Sequence, residues 1–405
     1  MSFEVLNTYI LEEVLEKLID YRGKTPVKTT AGIPMITAKV IKNGFIEEPN
    51  EFIAESDYVE WMRRGMPQYD DVVLTTEAPL GEVAQIKTHD KIALAQRVIT
   101  LRGKKGILDS SFLKYYLQSP IGQQKLKEKE TGTTVTGIKQ SELRKIEIEI
   151  PDYKPQRRIA AILSALDDKI ELNRRMNRTL EAIAQAIFRE WFVRFNFPGA
   201  TGEMVETELG EVPKGWRVGK VENVCEVNQS TLGKSDTFDW IDYVEISGVD
   251  QGSIGSTTRY NFGDEPSRAR RRIKHGDTVL STVRPSRGSY FLAINPAPTT
   301  IVSTGFAVFS PKNVPYCFLY LLLTDDKKLE YYGHVADGGA YPAINPSLIM
   351  DMDLVIPDDE SLALFGKTTE PFFEIISNNL SENQSLTHLR DSLLPKLMRG
   401  ELLNN

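Results

Sequence analysis

Residues 157–192, RRIAAILSALDDKIELNRRMNRTLEAIAQAIFREWF, contain neither proline nor glycine, and their apolar positions recur at heptad spacing. One seam takes Ile159, Leu163, Leu166, Ile170, Asn173, Asn177, Leu180, Ala184, Ile187 and Trp191, which predicts a single long helix. Adding 206 to each number gives Phe365, Thr369, Phe372, Ile376, Asn379, Asn383, Leu386, Arg390, Leu393 and Leu397, so the C-terminal segment repeats the pattern, asparagines included. Elsewhere the pattern is short. VVLTT, RVITLRG, KIEIEIP, TVLSTV, GFAVFS and DLVIP are β-branched runs between turn residues and predict strands. SSFLKYYLQS (110–119) and VPYCFLYLLLT (314–324) predict helices between them.

The strands repeat at the same offset as the long helices. DDVVLTTEAP (70–79) matches GDTVLSTVRP (276–285), and GTTVTGIKQSELRKIEIEIPD (132–152) matches GGAYPAINPSLIMDMDLVIPD (338–358). KNGFI (42–46) answers DQGSI (250–254), each a turn closing two short strands. The predicted fold is α+β: two strand-rich domains in a pseudo-twofold repeat, separated by two long helices that form an antiparallel coiled coil. The boundaries fall at 1–154, 155–196, 197–359 and 360–405, with GEVPKGWRVGKVENV as a linker into the second domain. About 35 residues of helix span ~50 Å, and a seam of that length needs covering. Antiparallel pairing places Asn173 and Asn177 opposite Asn379 and Asn383, where buried asparagines set register at a cost in stability. Such a rod holds a domain at each end, a ruler comparable with one to two turns of B-DNA at ~34 Å each. Pro395 predicts that the second helix bends or ends there.

Composition alters this picture little. The 405 residues carry a formal net charge of -7, which weighs mildly against a polyanionic partner. The densest basic run, PSRARRRIKHGD (266–277), opposes that average; by itself it reads equally well as a solvated loop or an electrostatic footprint. Cys225 and Cys317 form no CxxC pair and read as core thiols. No secretory leader and no membrane-spanning run is found, which places the chain in the cytoplasm.

No catalytic motif stands out. There is no GxxxxGK[ST], NPAP (295–298) reads as a turn, and His89, His275, His334 and His388 lack metal-ligand spacing. The carboxylate pairs Asp70/Asp71 and Asp358/Asp359 read as solvated turns, and PDYK (151–154) as a strand exit rather than a nuclease motif. Neither a cofactor nor a metal is expected. For DNA contact, loop placement and side-chain chemistry select Arg22, Lys24, Lys28, Arg63, Arg64, Thr133, Thr134 and Lys139 in the first half. In the second half they select Lys234, Arg268, Arg270, Arg271, Arg272, Arg284, Arg287 and Tyr341.

PQRRIAAILSALDDKIELNRRMNRTLEAIAQAIFREWFVRF resembles the central helix of the DNA specificity subunit of type I restriction-modification systems, and GEVPKGW, TGTTVTGIKQSEL and GGAYPAINPSLI are similar to further motifs of that family. The resemblance covers nearly the whole chain. It implies a subunit that catalyses nothing and whose two target recognition domains read the halves of a bipartite double-stranded DNA sequence. It further implies two methyltransferase subunits docked around the helices, with two ATP-dependent restriction subunits joining them and no membrane involved. Two departures are visible: the N-terminus lacks the GW-type lead-in, and the second helix begins DDESLALFGKTTEPFF without PQRR. A tandem-repeat protein scaffold and a modification-only assembly are the competing readings.

Overall fold

The computed structural model describes residues 6–21, 26–132, 136–233, 236–336 and 342–401. It falls into two compact units, Met1–Glu171 with Gln384–Asn405 and Leu172–Asn383. The division cuts both long helices internally, because each half of a helix packs on the sheet and helix nearest to it.

In the first unit an antiparallel sheet runs in the order Leu15–Asp20, Val98–Gly103, Val72–Thr76, Leu80–Gln85. All five residues of VVLTT are buried, since both faces of the sheet are covered. Val72, Leu74, Ile99 and Leu101 face the helix Ser110–Gln118 and the long helices. Val73 and Val98 face a second, smaller sheet ordered Phe52–Ile53, Ile33–Ile36, Ala93–Leu94, whose last pair is parallel. Asp109 caps the helix Ser110–Gln118, accepting from the Phe112 amide at 3.0 Å. Gln156 of the PQRR motif is fully buried; it donates to the Ile107 and Pro151 carbonyls and accepts from the Asp109 amide, locking the start of the long helix to this cap.

The second unit repeats this plan. Its sheet runs Cys225–Val227, Phe306–Pro311, Thr278–Ser281, Tyr290–Leu292, and the helix Tyr316–Leu323 is wholly buried against it. Thr75 and Ser281, at matching strand positions, are both core residues. In each unit the last strand pairs antiparallel with a strand from its start: Glu147–Ile150 with Asn7–Ile10, and Asp353–Ile356 with Arg217–Lys220. The missing GW lead-in therefore changes the anchor and not the pairing. Trp216 Nε1 donates to Asp358 at 3.0 Å and its ring meets Phe192 and Phe197, whereas Asn7 reaches Asp152 in the first unit. KNGFI and DQGSI both form two-residue hairpin turns.

The long helices are Tyr153–Phe192 and Asp359–Met398. In the second unit Asn173 Nδ2 donates to Asn383 at 2.9 Å and to Glu382 at 2.7 Å, and Asn379 Nδ2 donates to Asn177 at 2.8 Å. As one number rises the other falls, so the pair is antiparallel. Trp191 and Phe192 pack on Phe365, and Leu397 and Met398 enter the first unit's core. Cys225 and Cys317 are free, buried thiols, and burial pushes both up to about 12.

Several expectations are corrected. Of the two outcomes expected at Pro395, a bend or an end, the end is not found: the helix runs to Met398, Pro371 also lying within it. The linker GEVPKGWRVGKVENV holds two strands: Gly210–Pro213 pairs with Met204–Thr207, which precedes it, and Arg217–Lys220 pairs with Asp353–Ile356. PSRARRRIKHGD holds a strand, Ala269–Arg272, because Ala269 packs into the core while arginines take the remaining positions. Asp71 is no solvated turn residue: it is 1% exposed and paired with Arg102. By strand register Arg102 corresponds to Ser310 and Asp71 to Asp277, which accepts from Ser310 Oγ at 2.7 Å and from the Lys274 amide at 2.8 Å.

Burial raises the Asp277 carboxyl above its usual range despite these hydrogen bonds. A raised acid contributes stability below its unfolded value of 3.8 and loses it as pH rises through the folded value. Asp277→Asn is therefore expected to gain on wild type as pH climbs from 4 to 7, by about 1 kcal/mol or less. Urea melts at the two pH values check this; an unchanged difference contradicts it.

Candidate nucleic-acid interface

The four arginines at 268–272 sit on or beside one strand of a mixed sheet ordered Thr258–Asn261, Trp240–Val244, Thr300–Ser303, Ala269–Arg272. The central pair of this sheet is parallel, as in the smaller sheet of the first unit. A register shift between Ala269 and Arg271 breaks the alternation and re-aims the side chains. The outer edge is closed by residues 230–232: the Leu232 amide donates to the Arg270 carbonyl and the Arg272 amide to the Ser230 carbonyl.

Ion pairing sorts the arginines. Arg270 bonds Glu265 at 2.9 Å, and Arg272 bonds Asp236 at 2.8 Å with its guanidinium 5.6 Å from the Phe238 ring. Arg268 is exposed and, like Arg271, has no ion pair among the described residues; Arg271 Nε is moreover buried without an acceptor. Among the described residues, two of the guanidinium groups are thus offset by carboxylates and two are not.

Arg284 and Arg287 lie on the turn between Thr278–Ser281 and Tyr290–Leu292. Arg284 adopts φ +48° immediately before Pro285, and in the first unit Ala78 adopts φ +49° immediately before Pro79. This left-handed conformation is uncommon for non-glycine residues. Each turn is clamped to the loop after the unit's short helices. The Arg284 amide donates to the Pro342 carbonyl at 2.7 Å and Val283 bridges Ala343, while Glu77 bridges Gly137. Arg287, three residues beyond Arg284 on this turn, is exposed, and exposed Lys139 stands two residues after Gly137 in the first unit.

In the first unit, Arg63 and Arg64 border a 340 Å³ cleft with Tyr21, Trp61, Asp57 and Glu60. Tyr21 and Trp61 stack at 5.5 Å, the Arg64 guanidinium lies 5.9 Å from the Tyr21 ring, and Arg64 also donates to the Asp20 carbonyl. Lys28 follows Pro26 and Val27, which also line this cleft, and is engaged by Glu51 at 2.7 Å, which holds that carboxyl below its usual value. Arg22, Lys24, Thr133, Thr134, Lys234 and Tyr341 lie outside the described residues.

Sequence reading missed a matching feature of the second unit. Trp240 is 40% exposed, Arg259 lies 5.0 Å over its ring and makes a two-point bond with Asp242, and Phe238, Trp240 and Thr299 help line a 390 Å³ cleft. The available signal was a tryptophan opening a strand whose other apolar residues point inward. Each unit therefore carries an aromatic surface with guanidinium groups beside its second sheet, built from different residues. Such surfaces suit nucleic acid, where arginine bonds phosphates and base edges and stacks on rings.

Comparison with known proteins agrees with this geometry. Residues 6–182 match the family model of the type I restriction modification DNA specificity domain. The type I restriction enzyme MjaIX specificity subunit of Methanocaldococcus jannaschii is 28% identical over 383 residues, covering 91% of this chain and 87% of that protein. The HindI specificity subunit of Haemophilus influenzae is 26% identical over 321 residues, covering 64% of this chain and 69% of that one. The crystal structure of a type I restriction-modification S subunit from M. genitalium shares the fold, with a TM-score of 0.58 at 16% identity over 98% of this chain and 99% of that one. Residues 6–182 thus match a type I restriction modification DNA specificity domain, and over most of its length the chain is similar to specificity subunits of type I restriction enzymes.

Proposed function

We propose that this chain reads an asymmetric, bipartite double-stranded DNA sequence, one half with each unit, and catalyses nothing itself. The observation that carries this reading is that the two units share one scaffold but differ in the arginine-bearing parts around their second sheets. Equal scaffolds give equal tasks; unequal reading surfaces give unequal half-sites. Residues 1–154 and 197–359 act as the recognition domains, and residues 155–196 and 360–405 act as the spacer helices. Asn173, Asn177, Asn379 and Asn383 fix the register of the helices, because a one-turn slip would leave buried amides unpaired.

Two methyltransferase subunits dock around the helices, and two ATP-dependent restriction subunits join them in the cytoplasm. No described helix is long and apolar enough to cross a membrane. DNA contact falls to the residues selected above, with Arg268, Arg271 and Arg287 carrying the phosphate-directed charge.

The first test is co-expression with the methyltransferase subunit from its source in a host lacking N6-methyladenine, followed by genome-wide mapping of that base. A split, asymmetric motif is expected. A palindrome overturns the two-domain reading, and a stable complex without methylation favours a protein scaffold. A second test separates the arginines. In the assembled complex, Arg268→Ala and Arg271→Ala are each expected to reduce the slope of log affinity against log salt by about 0.9. Arg270→Gln is expected to change it less, its charge being offset by Glu265. Equal effects at all three positions would show that ion pairing does not select the contacts.

A further inference from the structure

In the first unit the helix Ser110–Gln118 meets the first long helix through buried charge, and the second long helix reaches the same carboxylate. Lys114 Nζ lies 2.5 Å from Asp167 Oδ2, Tyr115 donates its hydroxyl to the same oxygen at 2.7 Å, and Arg390 Nη1 lies 2.9 Å from Asp167 Oδ1. Lys114 and Asp167 are each 4% exposed. The 206-residue repeat places Tyr320, Phe373 and Ala184 at the corresponding positions of the second unit. There Tyr320 meets Phe373 edge to face at 5.4 Å, and its hydroxyl donates to Glu181 at 3.1 Å. The same contact is thus made by ions in one unit and by rings in the other.

The difference matters for orientation. Ring packing tolerates small sliding and rotation, whereas a buried ammonium must keep its carboxylate. Rotating the first unit's sheet and short helix on the long helices would strand Lys114 and free one side of Asp167. We propose that Asp167, held between Lys114 and Arg390, is a positioning residue that fixes the first recognition domain on the paired helices at one angle and so fixes the gap between the half-sites. The part concerning the gap rests on the bipartite reading above.

The test compares wild type with the triple variant Lys114→Met, Asp167→Leu, Arg390→Leu, which replaces the ions by apolar groups of similar size and is expected to fold. In the chain alone, the amides of Ser110–Gln118 should exchange with solvent about tenfold faster in the variant at an unchanged melting temperature. Unchanged exchange overturns the positioning role whatever the DNA result. With the methyltransferase partner, wild type should modify one gap length, and the variant the same half-sequences at that gap and at one base pair more or less. A variant confined to the wild-type gap overturns the link to spacing; a wild type without a split motif overturns the bipartite reading instead. Should the triple variant fail to fold, Arg390→Met, which leaves Lys114 paired, is expected to show a smaller rise in exchange; no rise would overturn the proposal.

Discussion

Asp167→Ala is expected to lower the stability of the first unit by about 3–5 kcal/mol, the usual cost of removing one member of a buried ion network. The reason lies in what remains. Burial already pulls the Lys114 ammonium below its usual value, and Asp167 is the carboxylate that opposes this. Burial likewise pushes the Asp167 carboxyl up, but Lys114 and Arg390 outweigh it and hold it below its ordinary range. Deleting Asp167 leaves two cations and the Tyr115 hydroxyl facing one another in a site with little water. In a unit of this size the loss corresponds to roughly 10 °C in melting temperature, read by calorimetry as a shift of one transition, since two units need not unfold together. The sign of the pH dependence follows. An acid with a depressed folded pKa contributes stability above its unfolded value of 3.8 and loses it as pH falls through the folded value. The gap between wild type and Asp167→Ala should therefore narrow below about pH 4. A constant gap, or a loss under 1 kcal/mol, would show that the network is not a buried ion cluster.

This network also marks where the sequence stopped being readable. Helix existence, strand positions and the 206-residue repeat were legible because each is a local periodicity or a comparison of the chain with itself. The asparagines were legible for the same reason: polar residues on an apolar seam announce themselves. Asp167 was not. Strict heptad spacing assigned the seam to Leu166, whereas the buried position is Asp167, and its partners stand 53 and 223 residues away. No local pattern declares that a carboxylate has found two distant cations.

The arginine strand was hidden by the converse effect. Its four residues carry only one apolar side chain, so a composition rule reads a loop, although an edge position with a register shift accommodates them as a strand. The candidate residues themselves followed from charge and placement. Which of them keep a free charge depends on Glu265 and Asp236, whose approach is set by tertiary structure.

The two equivalent buried aspartates show how far a repeat can diverge while keeping its fold. Asp71 accepts a two-point bond from Arg102, Nε to Oδ1 at 2.7 Å and Nη2 to Oδ2 at 2.8 Å, together with the Gln68 amide at 2.7 Å. Asp277 keeps the matching backbone amide, from Lys274, and among the described residues has the Ser310 hydroxyl in place of the cation. Arg102→Ala is therefore expected to cost about 3 kcal/mol, because a carboxylate that is 1% exposed loses its counter-charge and two of its hydrogen bonds. The double change Asp71→Asn with Arg102→Ser reproduces the neutral version of the second unit's pairing and should recover most of that loss. Chemical denaturation of wild type, the single and the double variant checks it. If the double variant is as unstable as Arg102→Ala, the arginine contributes through packing of its stem against the sheet, and the two units hold this strand end by different physics.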